Sequence, residues 1–130
     1  MSRNFNYKSV SFLKTEFNVK NKKFGYYLSP IFYKYNFKHG FLTKSISKEH
    51  FSLLEKNFNE NPINCVLNQI HSNKIIFGSN VPAGYKIDGD GIVSDNSNQN
   101  LWIYTADCMP IFFADKKQRL VAAIHCGRRG

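Results

Sequence analysis

His71, Cys108 and His125 are the residues best equipped for chemistry. Two imidazoles and a thiolate make a nitrogen, nitrogen, sulfur donor set that suits zinc, and three protein ligands leave a fourth position for water or substrate. Their separations of 37 and 17 residues match no short zinc-finger pattern, which speaks against a structural zinc and leaves a catalytic one open. Taken singly, each has an ordinary reading. A histidine after an alternating strand is commonly just hydrogen-bonded, and a lone cysteine is commonly a small buried apolar residue. Cys65 and Cys126 match no ligand spacing and read as packing residues.

Short strands must position these groups. "NCVLNQIH" (64–71) alternates, with Cys65, Leu67, Gln69 and His71 on one side. "KIIFG", "IVS" and "LWIYT" read as further strands, and "IFFAD" and "LVAAIH" flank "KKQR" as a hairpin. His71 thus closes one strand, Asp107 and Cys108 follow another, and His125 closes the last, where scaffolds commonly present reactive groups. "NVPAGYKIDGDG" is a loop rich in Gly, Pro and Asp. Upstream, "NVKNKKFG" (18–25) reads as a polar turn, and "FGYYLSPIFYKYNF" as two strands broken near Ser29-Pro30. "HGFLTK" (39–44) reads as a short strand. "SISKEHFSLLEKNFNENP" predicts a helix with Ser47 as N-cap, Phe51, Leu54 and Phe58 on one face, and Pro62 beyond its end.

A chain of 130 residues with 42% hydrophobic and 15% aromatic content can bury a core. No apolar run approaches the roughly 20 residues that cross a bilayer, and none at the start has signal-peptide length. The odd count of three cysteines, without a C-x-x-C, points to reduced thiols and a cytoplasmic protein. The net charge of +9 invites a nucleic-acid reading. However, 14 of the 18 basic residues are lysines scattered among Asn, Phe, Tyr and Ile, a pattern that fits a solvated surface.

"LNQIHSNKI", "DGDGIVS", "LWIYTADCMPIFFAD" and "LVAAIHCGRRG" resemble, in order, the successive motifs of the laccase-domain family. That family was first labelled multicopper polyphenol oxidase and later recognised as zinc-dependent purine nucleoside phosphorylases. The resemblance covers residues 39–130 and implies an α/β (α+β) layered sandwich with a mixed sheet, a cysteine-hydrolase-like fold. It makes residues 1–130 a single domain that ends before the family's does, and so one prone to self-association.

The resemblance implies that His71, Cys108 and His125 hold zinc (copper in the older assignment) and take part in catalysis. Purine nucleosides and phosphate are the implied partners, with phosphorolysis of adenosine, inosine, guanosine and methylthioadenosine and deamination of adenosine as the activities. It places Arg129, Lys44 and Asp90 as substrate- or phosphate-binding residues, and Gln69 and Asp107 as residues that fix ligand orientation. Gly127 and Gly130 would let the backbone turn tightly near a ligand. Two departures stand out. Arg128 takes the place of the family's tryptophan, and "HGFLTKSIS" lacks the glycines and arginine that often follow H-G-F. The alternatives are an inactive module that binds only metal or a partner, a copper-dependent polyphenol oxidase, and a basic RNA-binding protein. A single His/Cys/His set does not supply the several copper centres of laccase chemistry, and no RNA-binding motif is present.

Overall fold

The computed structural model describes residues 13–19, 22–44, 46, 54–55 and 61–128. The chain divides into two compact units, Met1–His50 and Phe51–Gly130. The fold is mixed α/β, with several sheets and few helices among the described residues.

In the first unit, β1 (Leu13–Val19) and β2 (Lys22–Leu28) form an antiparallel pair from Leu13↔Leu28 to Val19↔Lys22. β3 (Phe41–Leu42) adds to β2 through Tyr26↔Leu42 and Tyr27↔Phe41. The aromatic run after Ser29 is not the second strand its composition suggests. It forms a short helix, α1 (Pro30–Lys34), with proline in its first turn, where a missing N–H is tolerated. The Ser29 N–H donates to His39 Nε2 at 2.7 Å, and His39 Nδ1 bonds the Phe37 carbonyl at 2.7 Å. Asn36 then takes a left-handed backbone, φ 57°, and ends the helix. Local bonds and a proline therefore override the β preference of Ile, Phe and Tyr.

The described residues of the second unit form two sheets. β4 (Ile63–Val66) pairs in parallel with β7 (Gln99–Trp102). The larger sheet has the order β5-β6-β9-β8, from β5 (Ile75–Phe77), β6 (Gly91–Val93), β9 (Val121–Cys126) and β8 (Met109–Ala114). β5 and β6 run parallel, and the other neighbours are antiparallel. β8 and β9 form the expected hairpin, closed by Asp115, whose carboxylate accepts from the N–H groups of Lys117 and Gln118. Arg119 completes the turn with φ 57°. Cys65, Leu67, Ile76, Val81 and Ile92 form the buried core, with Ile87 and Leu101 packed against it. Cys65 is thus a packing residue, and burial pushes its thiol pKa up. Most of the expected helix over "SISKEHFSLLEKNFNENP" lies outside the described residues; Leu54 and Glu55 are helical, and Leu54 is fully buried.

Candidate functional site

The donor atoms of His71, Cys108 and His125 all lie within 4.8 Å of one another. Each arrives by a different route. His125 sits within β9, opposite Pro110 of β8, and the preceding Ile124 faces Gly91 of β6. It is held by strands on both sides and is 5% exposed. Cys108 is the last residue before β8. His71 lies in the irregular segment between β4 and β5 and does not close a strand as its alternating sequence suggests. The alternation holds through buried Cys65 and Leu67 and then breaks.

Asp90 is the reason it breaks. Its carboxylate accepts from three successive N–H groups, those of Ile70 (3.3 Å), His71 (3.0 Å) and Ser72 (2.7 Å), and from the Ser72 hydroxyl (2.7 Å). Donors that a ladder would use are wrapped around one carboxylate, and His71 takes φ 60°. The same carboxylate meets His125 Nδ1 at 2.8 Å, and the His125 N–H donates to the Asp90 carbonyl at 2.7 Å. Burial pushes the Asp90 carboxyl pKa up, but the bonds from His125, Ser72 and His71 outweigh it and hold it well below the usual carboxylate range. An ionised carboxylate cannot donate, so the proton of this bond resides on His125 Nδ1. The lone pair of Nε2 is then free for a metal, the arrangement in which a carboxylate orients a ligating histidine. At 1% exposure, Asp90 has both oxygens occupied by protein donors, among them the His71 N–H and His125 Nδ1.

Gln69 bonds the main chain of Tyr104 twice, its Nε2 donating to the carbonyl at 2.7 Å and its Oε1 accepting from the N–H at 2.9 Å. Asn68 ties the neighbouring loop, donating to the Asp88 carboxylate at 2.7 Å. Gly127 lies against the cluster: a Cβ there would stand 3.2 Å from His71 Cδ2 and 3.7 Å from Cys108 Sγ. Its lack of a side chain therefore serves close approach. Asp107 is exposed and its side chain bonds no other described residue. Arg128 and Lys44 are exposed, and Lys44 belongs to the first unit. Arg129 and Gly130 lie outside the described residues. Ser72 and Asn68 were not anticipated as supporting residues. The serine after the histidine in "QIHS" was the available signal.

The cluster can be tested for metal fit through its own distances. A tetrahedral zinc at ordinary bond lengths separates an imidazole nitrogen from a thiolate by about 3.6 Å. Cys108 Sγ and His71 Nε2 are 3.7 Å apart. The two imidazole rings meet edge to face with centroids 4.9 Å apart, which lets their nitrogens converge without stacking. The donors fit an ion that accepts both imidazole and thiolate, a class that includes zinc and copper.

Residues 21–130 match the family described as multi-copper polyphenol oxidoreductase laccase. The chain belongs to this family. The match crosses the boundary between the two units and contains all three candidate ligands. Among relatives of this laccase family, a purine nucleoside phosphorylase of Haemophilus influenzae is 33% identical over 88 residues, 67% of this chain and 35% of its own. One of Synechocystis is 49% identical over 41 residues, 32% of this chain and 16% of its own. A crystal structure of a Neisseria meningitidis DUF152 protein superposes with a TM-score of 0.55 at 30% identity, covering 68% of this chain and 35% of that one. The chain thus spans about a third or less of the length of these relatives. No helix among the described residues is long and apolar enough to cross a membrane.

Proposed function

We propose that this chain carries the metal-holding part of a zinc-dependent purine nucleoside phosphorylase, with His71, Cys108 and His125 as the zinc ligands. The single observation that carries this reading is the convergence of their donor atoms within 4.8 Å around a histidine pair already gripped by Asp90. The names of the relatives supply the substrate class, nucleoside and phosphate. The substrates are adenosine, inosine, guanosine and methylthioadenosine, and adenosine is also deaminated.

Held by His71, Cys108 and His125, zinc would supply Lewis acidity toward an oxygen or a water. The protein's residues do the rest. His125 presents Nε2 because Asp90 keeps the proton at Nδ1. The backbone cradle around Asp90 holds the His71 ring, and Cys108 contributes a thiolate. Phosphorolysis breaks the bond between the ribose C1′ and the purine nitrogen and forms one from C1′ to a phosphate oxygen. Arg129 provides a cation that orients that phosphate, and Lys44 is a separate candidate for phosphate binding in its own unit. Residues 1–130 act within a single domain, and the three free thiols support a cytoplasmic setting.

Metal analysis of the purified chain and phosphate-dependent release of base from inosine or adenosine test the reading. About one zinc per chain, lost in Cys108→Ala, is expected. A chain without stoichiometric metal overturns it. Arg129→Ala should raise the phosphate concentration required and leave the zinc content intact; an unchanged phosphate dependence removes that role. A second reading is a module that binds metal and turns over no nucleoside. Full zinc content without base release would select it.

A further inference from the structure

The three candidate ligands are not held alike. His71 is fixed through its own N–H and those of its two neighbours, all bonded to Asp90. His125 is fixed by strand pairing, by its N–H to the Asp90 carbonyl, and by Nδ1 to the Asp90 carboxylate. Among the described residues Cys108 is held less directly: its Sγ lies 3.7 Å from His71 Nε2, and it is its successor Met109 that is paired, with Cys126 of β9. Cys108 ends the stretch 103–108, which lies outside any strand, between Trp102 at the end of β7 and Met109 at the start of β8. Among the described residues, only one side chain hydrogen-bonds the main chain of that stretch. It is Gln69, with both amide atoms on Tyr104.

We infer that Gln69 is the positioning residue for the Cys108 thiolate, and that it acts on this ligand and not on the two histidines. Gln69 lies two residues before His71, so its amide ties the segment bearing one ligand to the segment bearing another. A primary amide is the side chain suited to this task. It donates to a carbonyl and accepts from an N–H of one residue at once, as a neighbouring strand would. Glutamate keeps only the acceptor, and leucine keeps neither. The geometry also explains why the stretch needs a clamp. Tyr104 and its successors Thr105, Ala106 and Asp107 are exposed, so packing does little to fix where Cys108 falls. Three residues, Thr105, Ala106 and Asp107, separate the clamp's grip on Tyr104 from Cys108. That is short enough to restrict the sulfur and long enough for loss of the clamp to free it.

This inference rests on the metal reading above, and cobalt(II) substitution separates the two. Cobalt bound to a thiolate gives an intense near-ultraviolet charge-transfer band, and cobalt bound by imidazoles gives visible ligand-field bands. The full metal-free chain, titrated with cobalt(II), is expected to show both. Cys108→Ser should remove the charge-transfer band. Gln69→Leu should lose most of that band while visible bands persist, with metal affinity lowered about 10- to 100-fold. Gln69→Glu should fall between Gln69→Leu and the unaltered chain. If Gln69→Leu does not fold, Gln69→Glu decides alone. Band intensity and affinity within twofold of the unaltered chain in both variants would overturn the role of Gln69 and leave the metal site standing. Global unfolding of both metal-free variants by circular dichroism would overturn it as well, in favour of a fold-wide role. An unaltered chain that binds cobalt without the charge-transfer band would overturn both this inference and the metal reading.

Discussion

Strand β6 is bracketed by two aspartates, Asp90 before it and Asp95 after it, and they make nearly the same local structure. Each takes the N–H and the hydroxyl of one serine, Ser72 for Asp90 and Ser79 for Asp95. Each thereby fastens a loop to the end of a strand. They differ in their other partners, since Asp90 also takes the N–H groups of Ile70 and His71, and in their burial. Asp95 is exposed and receives the amide of Gln99 at 2.7 Å, whereas Asp90 is buried and meets the imidazole of His125. The serine bonds at Asp95, and then that of Gln99, hold its carboxyl below the usual range too. A depressed carboxyl is thus common to both ends and does not mark a functional site. What marks one is the imidazole in place of the amide, together with a second histidine on the gripped loop.

The comparison breaks most visibly by deletion. Asp90→Ala strands three part-buried N–H donors and leaves the buried His125 Nδ1 unpaired, so it should destabilise the chain by about 2–4 kcal/mol and abolish metal binding. Asp95→Ala should shift the urea midpoint far less and leave metal content unchanged. Equal losses in the two variants would show that both aspartates are merely loop staples. Gly127→Ala acts on the site alone. Its methyl group would press on the His71 ring, with an overpacking cost of about 1 kcal/mol, read as a roughly fivefold loss of zinc affinity. An affinity equal to that of the unaltered chain would mean the ring moves aside freely.

The pH dependence sharpens the contrast. Because the folded Asp90 carboxyl titrates below its unfolded value of about 3.9, the native state binds fewer protons than the unfolded state below that pH. Stability therefore rises with pH in that window. It is fully present above about pH 4 and is lost as pH falls toward the folded value. Denaturant titrations of the metal-free chain should show this acid limb flattened in Asp90→Asn. A limb unchanged by that substitution would assign it to other carboxylates. The smallest effect is expected at Arg128, which is exposed. Arg128→Trp, the residue type of the family at this position, should alter stability by no more than about 0.5 kcal/mol and leave zinc content as it was.

Much of this site was legible in the residues, for particular reasons. The β8–β9 hairpin follows from two apolar runs around "KKQR", and the trio of His71, Cys108 and His125 follows from donor type and from family resemblance. The role of Asp90 was not legible. In "DGDG" an aspartate serves equally as ligand, turn former or buried acceptor, and only tertiary placement decides among these. Nor could the alternation of "NCVLNQIH" reveal where it fails, because the competing acceptor lies about 20 residues downstream. The helix at Pro30–Lys34 was hidden by its aromatic composition. Its causes are the proline in its first turn, the Ser29 N–H bond to His39 ten residues on, and the bond of His39 Nδ1 to the Phe37 carbonyl. Conversely, the alternation of Cys65 and Leu67 into the core was readable, since burial on one face depends only on the local period.

His71 sits at φ 60°, a left-handed conformation in which an ordinary side chain is disfavoured by about 1–2 kcal/mol. Glycine would occupy this position without that strain. The fold therefore keeps an imidazole where the backbone resists it, and the grip of Asp90 offsets the resistance. His71→Gly and His71→Ala both delete the imidazole, yet the glycine form relaxes the backbone and the alanine form does not. Any stability gap between them measures how much conformational strain the chain carries to keep a histidine at this place.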